Sequence, residues 1–534
     1  MNAWMFQTMV GRANEFQGSD MHHNQNESSR RLDRGLHDRR SVLRAIGYAG
    51  LGAASRGRLG VALLAPEMSL LRSDRARAEP DPLLQPAEIR SQNGELRVTL
   101  TAAPSPMALG DYEFTGYLYN NSYLPPLLRV RLGDRMRIRL INNLGDGFSN
   151  LHFHGMNVSP RGRSDNIFIH VNPGHEFEYE VTVPRAGRQG PGMFWYHPHG
   201  HGFVTKQMLG GMSGGLVVEG SEGLLPILGG LPERFFLIKH AEPGGGREII
   251  SINGQLNPVV EIRPGELQFW RIANIGATLF IPFQFEGMPL YVIATDGHSL
   301  AHPRKMSNFF LGPGQRIDAI AIGPPAGEYA VSTILFKNMA WREPFPAQRI
   351  ATVVSTGSPQ SADAETEVLR QRVGGPRWID EVRASTIARQ RRLVYSRTDD
   401  RSVFMIDGRV IDDDRIDQTV KLGDTEEWTI VNTDQQYHSF HIHQTAFLVT
   451  EINGVPQDED SLRDTMSIPP ATDDNPSVLK VIIPFTDPEI VGRFVYHCHA
   501  VDHEDKGMMG TVWCSAKTRN PVAGFGSAGL RGRQ

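Results

Sequence analysis

The stretch "RLGDRMRIRLIN" (residues 131–142) is the first of three similar segments in this 534-residue chain. Met136, Ile138 and Leu140 alternate with arginines, which is the period of a β-strand that buries one face. The Gly-Asp pair just before them is typical of a turn. The segment therefore predicts a turn followed by a half-buried strand that ends at an asparagine.

The same pattern returns twice further along the chain. It reads "RPGELQFWRIAN" at residues 263–274 and "KLGDTEEWTIVN" at residues 421–432. Each copy has a basic residue, one further residue, a glycine, an acid and then a run that ends in asparagine. The stretches that follow also match, as "LHFHG", "FQFEG" and "HIHQ" respectively. An internal repeat of this kind predicts three related β domains, of which only the outer two carry histidines.

Composition agrees with an all-β fold class. The chain contains 55 glycines and 35 prolines, with many short alternating segments. The repeats predict the following division: a leader at 1–78, domain 1 at 79–222, domain 2 without metal ligands at 223–356, a polar linker at 357–390, domain 3 at 391–520 and a tail at 521–534.

The leader resembles a twin-arginine export signal. Arg39 and Arg40 precede Ser41 and a short apolar run, and "ARA" at residues 76–78 supplies a small-x-small cleavage site. This pattern predicts a periplasmic or secreted protein, and the alternative is a basic leader without a targeting role. The chain has no other apolar run long enough to span a membrane.

Charge and cysteine usage exclude some functions. The formal net charge of -4 gives no basic surplus for nucleic acid, so we expect no nucleic-acid partner. Two cysteines, Cys498 and Cys514, cannot form a disulfide framework. We expect Cys514 to be a buried small side chain, because it follows a strand-like stretch.

Eight of the 19 histidines occur in pairs separated by a single residue. On a strand, residues i and i+2 face the same side, so each pair presents two imidazoles to one surface. A single pair would be unremarkable, but four pairs at matching places of two repeated domains predict a metal site. The pairs are His152/His154, His197/His199, His441/His443 and His497/His499.

Cys498 lies between His497 and His499, so on a strand it faces the opposite way. One strand would then serve two metal sites, one on each face. His438 lies ahead of the third pair, and His503 and Met508 follow the cysteine. Two histidines, a cysteine and a weak axial methionine form the ligand set of a blue-copper site. Zinc fits poorly, because Cys/His zinc sites use different ligand spacings.

The motifs "LHFHG", "WYHPHGH", "HSFHIH" and "HCHAVDHEDKGM" together resemble the three-domain multicopper oxidases, the bacterial laccase-like members of the cupredoxin family. The resemblance covers about residues 90–516. It implies three cupredoxin-like Greek-key domains in tandem and four copper ions. The implied ligands are His438, Cys498, His503 and axial Met508 for type 1 copper, His152 and His441 for type 2, and His154, His197, His199, His443, His497 and His499 for the type 3 pair.

The resemblance also implies a mechanism. A reductant gives single electrons at the exposed edge of His438, Cys498 carries them toward the histidine cluster, and O2 is reduced to water. Asp165 and Glu504 are the implied proton donors. Their ordinary alternative is an acid in a loop and a salt-bridged acid. His201 has no implied ligand role, and we expect it either to support a ligand from outside the site or to be structural.

Three functions remain open at this point. We expect oxidation of phenols and aromatic amines with O2 as acceptor. A cuprous oxidase acting in copper tolerance is the first alternative, although the stretch 444–490 contains only Met466 and therefore no methionine-rich insert. The second is a copper-free scaffold of the cell envelope with the same fold. We expect a monomer without a membrane span in its mature form.

Overall fold

The computed structural model describes residues 81–516 except Arg247 and residues 340–342. The predicted export signal and the predicted tail lie outside these residues. Within the described part of the chain, six sheets form three pairs, and each pair packs its apolar faces together. The all-β prediction is therefore confirmed, with one two-sheet sandwich for each copy of the repeat.

The first domain combines a five-stranded and a four-stranded sheet. Its strands are β1 (Glu88–Arg90), β2 (Glu95–Leu109), β3 (Tyr112–Tyr119), β4 (Leu127–Val130), β5 (Arg135–Asn142), β6 (His152–His154), β7 (Glu176–Thr182), β8 (Gly192–His197) and β9 (Gly214–Val218). The helix α1 (Val204–Leu209) precedes β9, and α2 (Ser221–Leu224) and a 3₁₀ turn (Pro226–Leu228) follow it. The strand orders are β1-β4-β9-β8-β6 and β3-β2-β5-β7.

The second domain combines a six-stranded and a five-stranded sheet. Its strands are β10 (Glu233–Ala241), β11 (Ile249–Ile252), β12 (Val259–Ile262), β13 (Leu267–Asn274), β14 (Ile281–Phe285), β15 (Leu290–Thr295), β16 (His298–Met306), β17 (Asn308–Leu311), β18 (Arg316–Ile322), β19 (Gly327–Thr333) and β20 (Arg349–Ser355). A 3₁₀ turn (Pro243–Gly245) follows β10. The strand orders are β11-β10-β13-β18-β15-β16 and β12-β20-β19-β14-β17.

The third domain has the same two-sheet plan. Two short helices precede it, α3 (Ala364–Leu369) and α4 (Trp378–Arg383). Its strands are β21 (Ile387–Arg397), β22 (Phe404–Ile406), β23 (Gln418–Lys421), β24 (Asp424–Asn432), β25 (His438–Ile442), β26 (Leu448–Ile452), β27 (Val455–Pro456), β28 (Thr465–Ile468), β29 (Ser477–Phe485), β30 (Gly492–Cys498) and β31 (Met509–Ser515). A 3₁₀ turn (Pro488–Ile490) precedes β30, and α5 (Val501–Asp505) follows it. The strand orders are β22-β21-β24-β29-β26-β27 and β23-β31-β30-β25-β28.

The three repeated segments form equivalent central strands. Each lies parallel to the first long strand of its domain and antiparallel to a later one: β5 lies between β2 and β7, β13 between β10 and β18, and β24 between β21 and β29. The helices α3 and α4 lie in the range predicted as a linker. β21 begins at Ile387, inside that same range.

The asparagine that ends each repeated strand explains why the pattern recurs. Asn142, Asn274 and Asn432 are all fully buried. In each, the side-chain oxygen accepts from the backbone N–H two residues later, and the side-chain amide donates to two backbone carbonyls. The side chain therefore satisfies buried backbone groups where the chain leaves the strand.

The strands after these asparagines pair in the same way in all three domains. β6 pairs antiparallel with β8, β14 with β19, and β25 with β30. In the outer domains this pairing puts His152 opposite His197 and His441 opposite His497. In the middle domain the buried Phe283 takes the corresponding place. Among the described residues, no helix is both long and apolar enough to cross a membrane.

Candidate metal centres

The first centre is a cluster of the eight paired histidines between the first and third domains. β6 carries one whole pair. β8, β25 and β30 each carry the first histidine of a pair, and the second histidine follows the end of the strand. All eight rings are at most 1% exposed. The rings of His152 and His443 stack at 3.7 Å, and those of His154 and His441 at 3.9 Å. The four pairs singled out in the sequence are thus brought together.

Many of these rings use one nitrogen for a protein partner and leave the other facing the cluster. The Nδ1 atom of His441 lies 2.7 Å from the carbonyl of Asp464, and that of His197 lies 2.9 Å from the carbonyl of Pro198. The Nε2 atoms of His152, His197 and His441 are buried without a hydrogen-bond partner. A metal ion would satisfy these atoms, and the outer contacts fix the tautomer that leaves them free.

The inward nitrogens approach each other closely enough to share ions. The Nε2 atom of His497 lies 3.2 Å from that of His199 and 3.2 Å from that of His443. The Nδ1 atom of His154 lies 3.0 Å from the Nε2 atom of His499. Imidazole is a favourable ligand for copper, so the donor set fits the metal that the sequence predicts.

Three groups of cluster histidines bring their nitrogens within 4.8 Å of one another. One group joins His152 and His441, the predicted type 2 ligands, with His443. The group of His199, His443 and His497 contains only predicted type 3 ligands. The groups are His152/His441/His443, His152/His154/His197 and His199/His443/His497.

Burial favours the neutral form of six of the cluster imidazoles. It lowers the pKa of six of the rings well below the usual value, and neighbouring imidazoles lower it further. A neutral ring is the form that binds a metal, so a lowered pKa reduces the competition of protons for these six rings. The six rings are His154, His197, His199, His441, His443 and His499.

The two predicted proton donors both contact the cluster. Asp165 is 2% exposed, and its two carboxylate oxygens lie 3.0 and 3.1 Å from the Nδ1 atom of His152. Gln444 donates to the same carboxylate at 2.6 Å. Glu504 lies between two rings, 3.3 Å from the Nδ1 atom of His199 and 3.0 Å from that of His497.

The second centre lies on the other face of β30. The Sγ atom of Cys498 lies 3.4 Å from the Nδ1 atom of His438 and 3.4 Å from that of His503. The two Nδ1 atoms are 3.2 Å apart. These three residues form a buried group able to hold one ion. Cys498 faces His438 and His503, whereas its neighbour His497 faces the cluster, as strand alternation predicts.

Burial of the Cys498 thiol disfavours its ionisation when no metal is bound. Burial raises its pKa, and the backbone N–H groups of Ser439 and Ala500 lower it by a smaller amount. Ser439 donates to the sulfur at 3.4 Å. A bound cation supplies the charge that a buried thiolate needs, because a coordinating thiol is deprotonated by its metal.

The surroundings of His438 differ from the sequence expectation. The prediction that an edge of the His438 ring is exposed is wrong, because the residue is 0% exposed. The rings of Tyr395 and Phe404 lie 5.7 and 6.2 Å from its ring. Its Nε2 atom lies 3.5 Å from the carboxylate of Asp434, which also accepts from Arg397 at 2.8 Å. Side chains from other elements cover this histidine.

Three polar residues at the centres were not found from the sequence. Asp434 precedes His438 by four positions, Gln444 follows His443 directly, and Asp464 precedes β28. Asp434 and Asp464 belong to no metal motif, and Gln444 ends the repeated stretch "HIHQ" without being one of its histidines. The adjacency of Gln444 to a predicted ligand was the only available signal for it, and Asp464 gave none because it is far from every ligand in sequence.

The remaining predicted residues are placed as follows. Met508 is fully buried, and its backbone bonds to those of Cys498 and His503, at 3.1 and 3.0 Å. His201 pairs with Asp413 at 3.0 Å, and its ring lies 6.0 Å from that of His199. Cys514 is a free, buried thiol in the core of the third domain, in agreement with the prediction.

Comparisons with known proteins agree with this geometry. Three family models described as multicopper oxidase match residues 105–223, 226–356 and 386–517. The multicopper oxidase mco of Staphylococcus haemolyticus is 26% identical over 79% of this chain and 89% of its own length. The cell division protein FtsP of Dickeya dadantii is 25% identical over 86% of this chain and 97% of its own.

Solved structures share the fold. A multicopper oxidase from Campylobacter jejuni, described as a metallo-oxidase, superimposes with a TM-score of 0.67 at 23% identity. The similarity covers 82% of this chain and 95% of that one. The two-sheet domains described above are therefore arranged as in known multicopper oxidases.

Replacing the thiolate should separate the two centres. We expect Cys498→Ser to abolish the strong visible absorption of a copper–thiolate bond while the histidine cluster still loads copper, because the cluster contacts the backbone carbonyl of Cys498 and not its side chain. Copper content per chain and the visible spectrum measure the two centres separately.

Cys514→Ser is the matched control, since it removes the other buried thiol without touching a histidine. It should keep the visible absorption. If the cluster of the Cys498→Ser variant took up no copper, the two centres would not be independent.

Proposed function

Because this chain belongs to the multicopper oxidase family, we propose that it is a laccase-like oxidase that couples one-electron oxidation of phenols and aromatic amines to reduction of O2 to water. The observation that carries the proposal is that β30 and the residue after it supply ligands to both centres. Cys498 serves the single-ion group, and its neighbours His497 and His499 serve the cluster. The backbone between them is the shortest covalent path from one centre to the other.

We assign the residues that would hold copper from the family motifs that they match. His438, Cys498, His503 and Met508 would hold one ion, His152 and His441 a second, and the other six cluster histidines a coupled pair. Bound copper would supply one-electron redox chemistry and the binding of O2. The protein contributes the donor atoms, their tautomers and the exclusion of water, since all eight cluster rings are buried.

Reduction of O2 to water also consumes protons. We assign proton delivery to Asp165 and Glu504, because their carboxylates contact three cluster rings from outside. Asp165 can hold a proton next to the Nδ1 atom of His152, and Glu504 next to the Nδ1 atoms of His199 and His497. Both side chains touch the cluster directly, so a proton need not cross an apolar gap to reach it.

The buried His438 favours reductants that lose an electron without becoming a ligand. Phenols and aromatic amines donate through their π systems and can do so across the side chains that cover the ring. In the stretch 444–490 the single methionine, Met466, is 4% exposed and packs in the core. This stretch therefore presents no thioether to a cuprous ion at the surface.

A second candidate is oxidation of Cu(I), which two other methionines favour. Met339 pairs through its backbone with Gln436, two residues before His438. Met405 follows Phe404, whose ring stacks on His503 at 4.2 Å. Both methionines are partly exposed, and thioethers are good ligands for Cu(I).

Steady-state oxygen uptake with a phenolic dye and with Cu(I) distinguishes the two candidates. We expect a higher kcat/KM for the dye, and no loss of dye oxidation in a Met339→Leu/Met405→Leu double variant, because outer-sphere transfer needs no thioether. A faster Cu(I) reaction that collapses in the double variant would favour the second candidate.

A copper-free scaffold is the third candidate function. It is considered because one relative, FtsP, is described as a cell division protein. Against it stand the buried, unpartnered nitrogens of His152, His197 and His441, which are costly to bury without a ligand. A chain that stays colourless and metal-free after copper loading would support the scaffold.

Asp165→Asn tests the proton assignment. The amide cannot deliver a proton, so we expect O2 reduction to slow by about 10²–10⁴-fold, the usual contribution of a general acid. The visible absorption of the Cys498 centre should stay intact, because the side-chain partners of Asp165 include no ligand of that centre. Oxygen uptake at saturating reductant gives the rate, and copper analysis shows whether the cluster remains loaded.

Asp487→Asn is the control for this variant. Asp487 is also a buried acid, but it caps a turn and accepts from the backbone of Arg188 away from the histidines. It should change stability without changing the rate. Full turnover in the Asp165→Asn variant would remove the assigned role.

We further propose export by the twin-arginine route, with the mature protein acting as a monomer in the periplasm or outside the cell. Replacing Arg39 and Arg40 by lysine should retain the full-length chain in the cytoplasm, because that pathway reads the arginine pair. Cell fractionation measures the distribution, and light scattering of the exported protein measures its mass. Unchanged export of the lysine variant would contradict the route.

A further inference from the structure

The middle domain holds no histidine of the cluster, yet one of its side chains reaches the cluster's edge. Arg316 is the first residue of β18 and is 1% exposed. Its guanidinium donates to both carboxylate oxygens of Asp464, at 2.9 and 2.6 Å. It also donates to the carbonyls of Met193 and Gly314, both at 3.0 Å. Three of its nitrogens are thus fixed by partners from all three domains.

Two glycines leave room for this approach. Gly155 follows His154 directly, and a Cβ atom there would collide with the guanidinium of Arg316 and the carboxylate of Asp464. A Cβ atom on Gly314 would lie 2.9 Å from the ring of His154. Both glycines also have positive φ angles, 83° and 91°, which other residues adopt only with strain. The backbone is therefore shaped to let the arginine and the ring lie side by side.

Asp464 contacts two cluster histidines at once. Its carboxylate lies 3.1 Å from the Nε2 atom of His154, and its backbone carbonyl accepts from the Nδ1 atom of His441. Thr465 also donates to the carboxylate, at 2.8 Å. These contacts leave the Nδ1 atom of His154 and the Nε2 atom of His441 to face the cluster. Asp464 therefore selects which nitrogen each ring offers to a metal.

We propose that Arg316 is a positioning residue for the copper cluster, which the middle domain supplies to hold Asp464 and through it the rings of His154 and His441. The inference rests on the proposed copper oxidase function. A planar guanidinium with two parallel hydrogen bonds fixes a carboxylate in one orientation, whereas a single point charge does not. The arrangement makes a domain without ligands part of the metal site.

The competing explanation is that Arg316 only stabilises the fold as one half of a buried ion pair. The same domain contains a matched case. Arg271 is also buried, and it pairs with Asp318 and Glu233, both at 2.6 Å. Neither carboxylate forms a hydrogen bond or ion pair with a cluster histidine. A purely structural role would make Arg316 and Arg271 equivalent.

The test compares Arg316→Met with Arg271→Met in the full chain. Each apo-protein is equilibrated against a series of chelator-buffered Cu(II) concentrations. Visible absorption reports loading of the Cys498 centre, and total copper minus that amount reports loading of the cluster. This readout is metal affinity and does not depend on turnover.

We expect Arg316→Met to raise the free copper needed for half-loading of the cluster by about 10–100-fold, the range for losing an outer partner of a metal ligand. The Cys498 centre should load as in the wild type, and Arg271→Met should leave both centres unchanged. Equal cluster affinity in all three proteins would overturn the proposal.

Arg316→Lys keeps the charge but not the paired hydrogen bonds, so its cluster affinity should fall between those of the wild type and Arg316→Met. If Arg316→Met does not fold, Arg316→Lys alone tests the proposal: a cluster affinity weaker than that of the wild type supports it, and wild-type affinity overturns it. A wild-type chain that binds no copper would refute the proposed function, which is a different result from equal affinities among loaded variants.

Discussion

The alternation of side chains along β30 is the constraint on which the rest of the site depends. Neighbouring residues of a strand point to opposite faces, so His497 and Cys498 must serve different centres. The cluster can therefore form only on the face of β30 that meets the first domain, and the thiol can only face inward to the core of the third. His438 and His503 lie on that inner side, where the sulfur contacts both rings.

Burying eight imidazoles together imposes a second condition. Each ring carries two nitrogens, and an unpartnered buried nitrogen is costly. The protein meets the condition with outer partners such as the carbonyls of Pro198 and Asp464 and the carboxylates of Asp165 and Glu504. These partners leave the inward nitrogens for metal, so the shell outside the cluster determines its coordination as much as the histidines do.

Those parts of the molecule that depend on local sequence patterns could be predicted from the sequence. The repeated strand ending in asparagine predicted the three domains, because the same hydrogen bonds close each copy. The His-x-His pairs predicted the cluster, because strand period fixes their direction. The burial of His438 could not be predicted, since Tyr395, Phe404 and Asp434 cover it from separate elements. Single residues of that kind follow no period, and only the folded chain brings them together.

The middle domain shows how a repeat can lose one role and keep another. Phe283 and Phe285 fill its core where the outer domains carry histidines, so its own strands bind no metal through that position. The N-terminal end of its β18 nevertheless lies against the cluster, and glycines at positions 155 and 314 let the backbones approach. The middle domain therefore forms one side of the metal site, although its own core contains no histidine pair. The guanidinium of Arg316 lies on that side of the site and forms an ion pair with Asp464, which in turn contacts the rings of His154 and His441. The contact between domains is therefore part of the chemistry of the site as well as of its assembly.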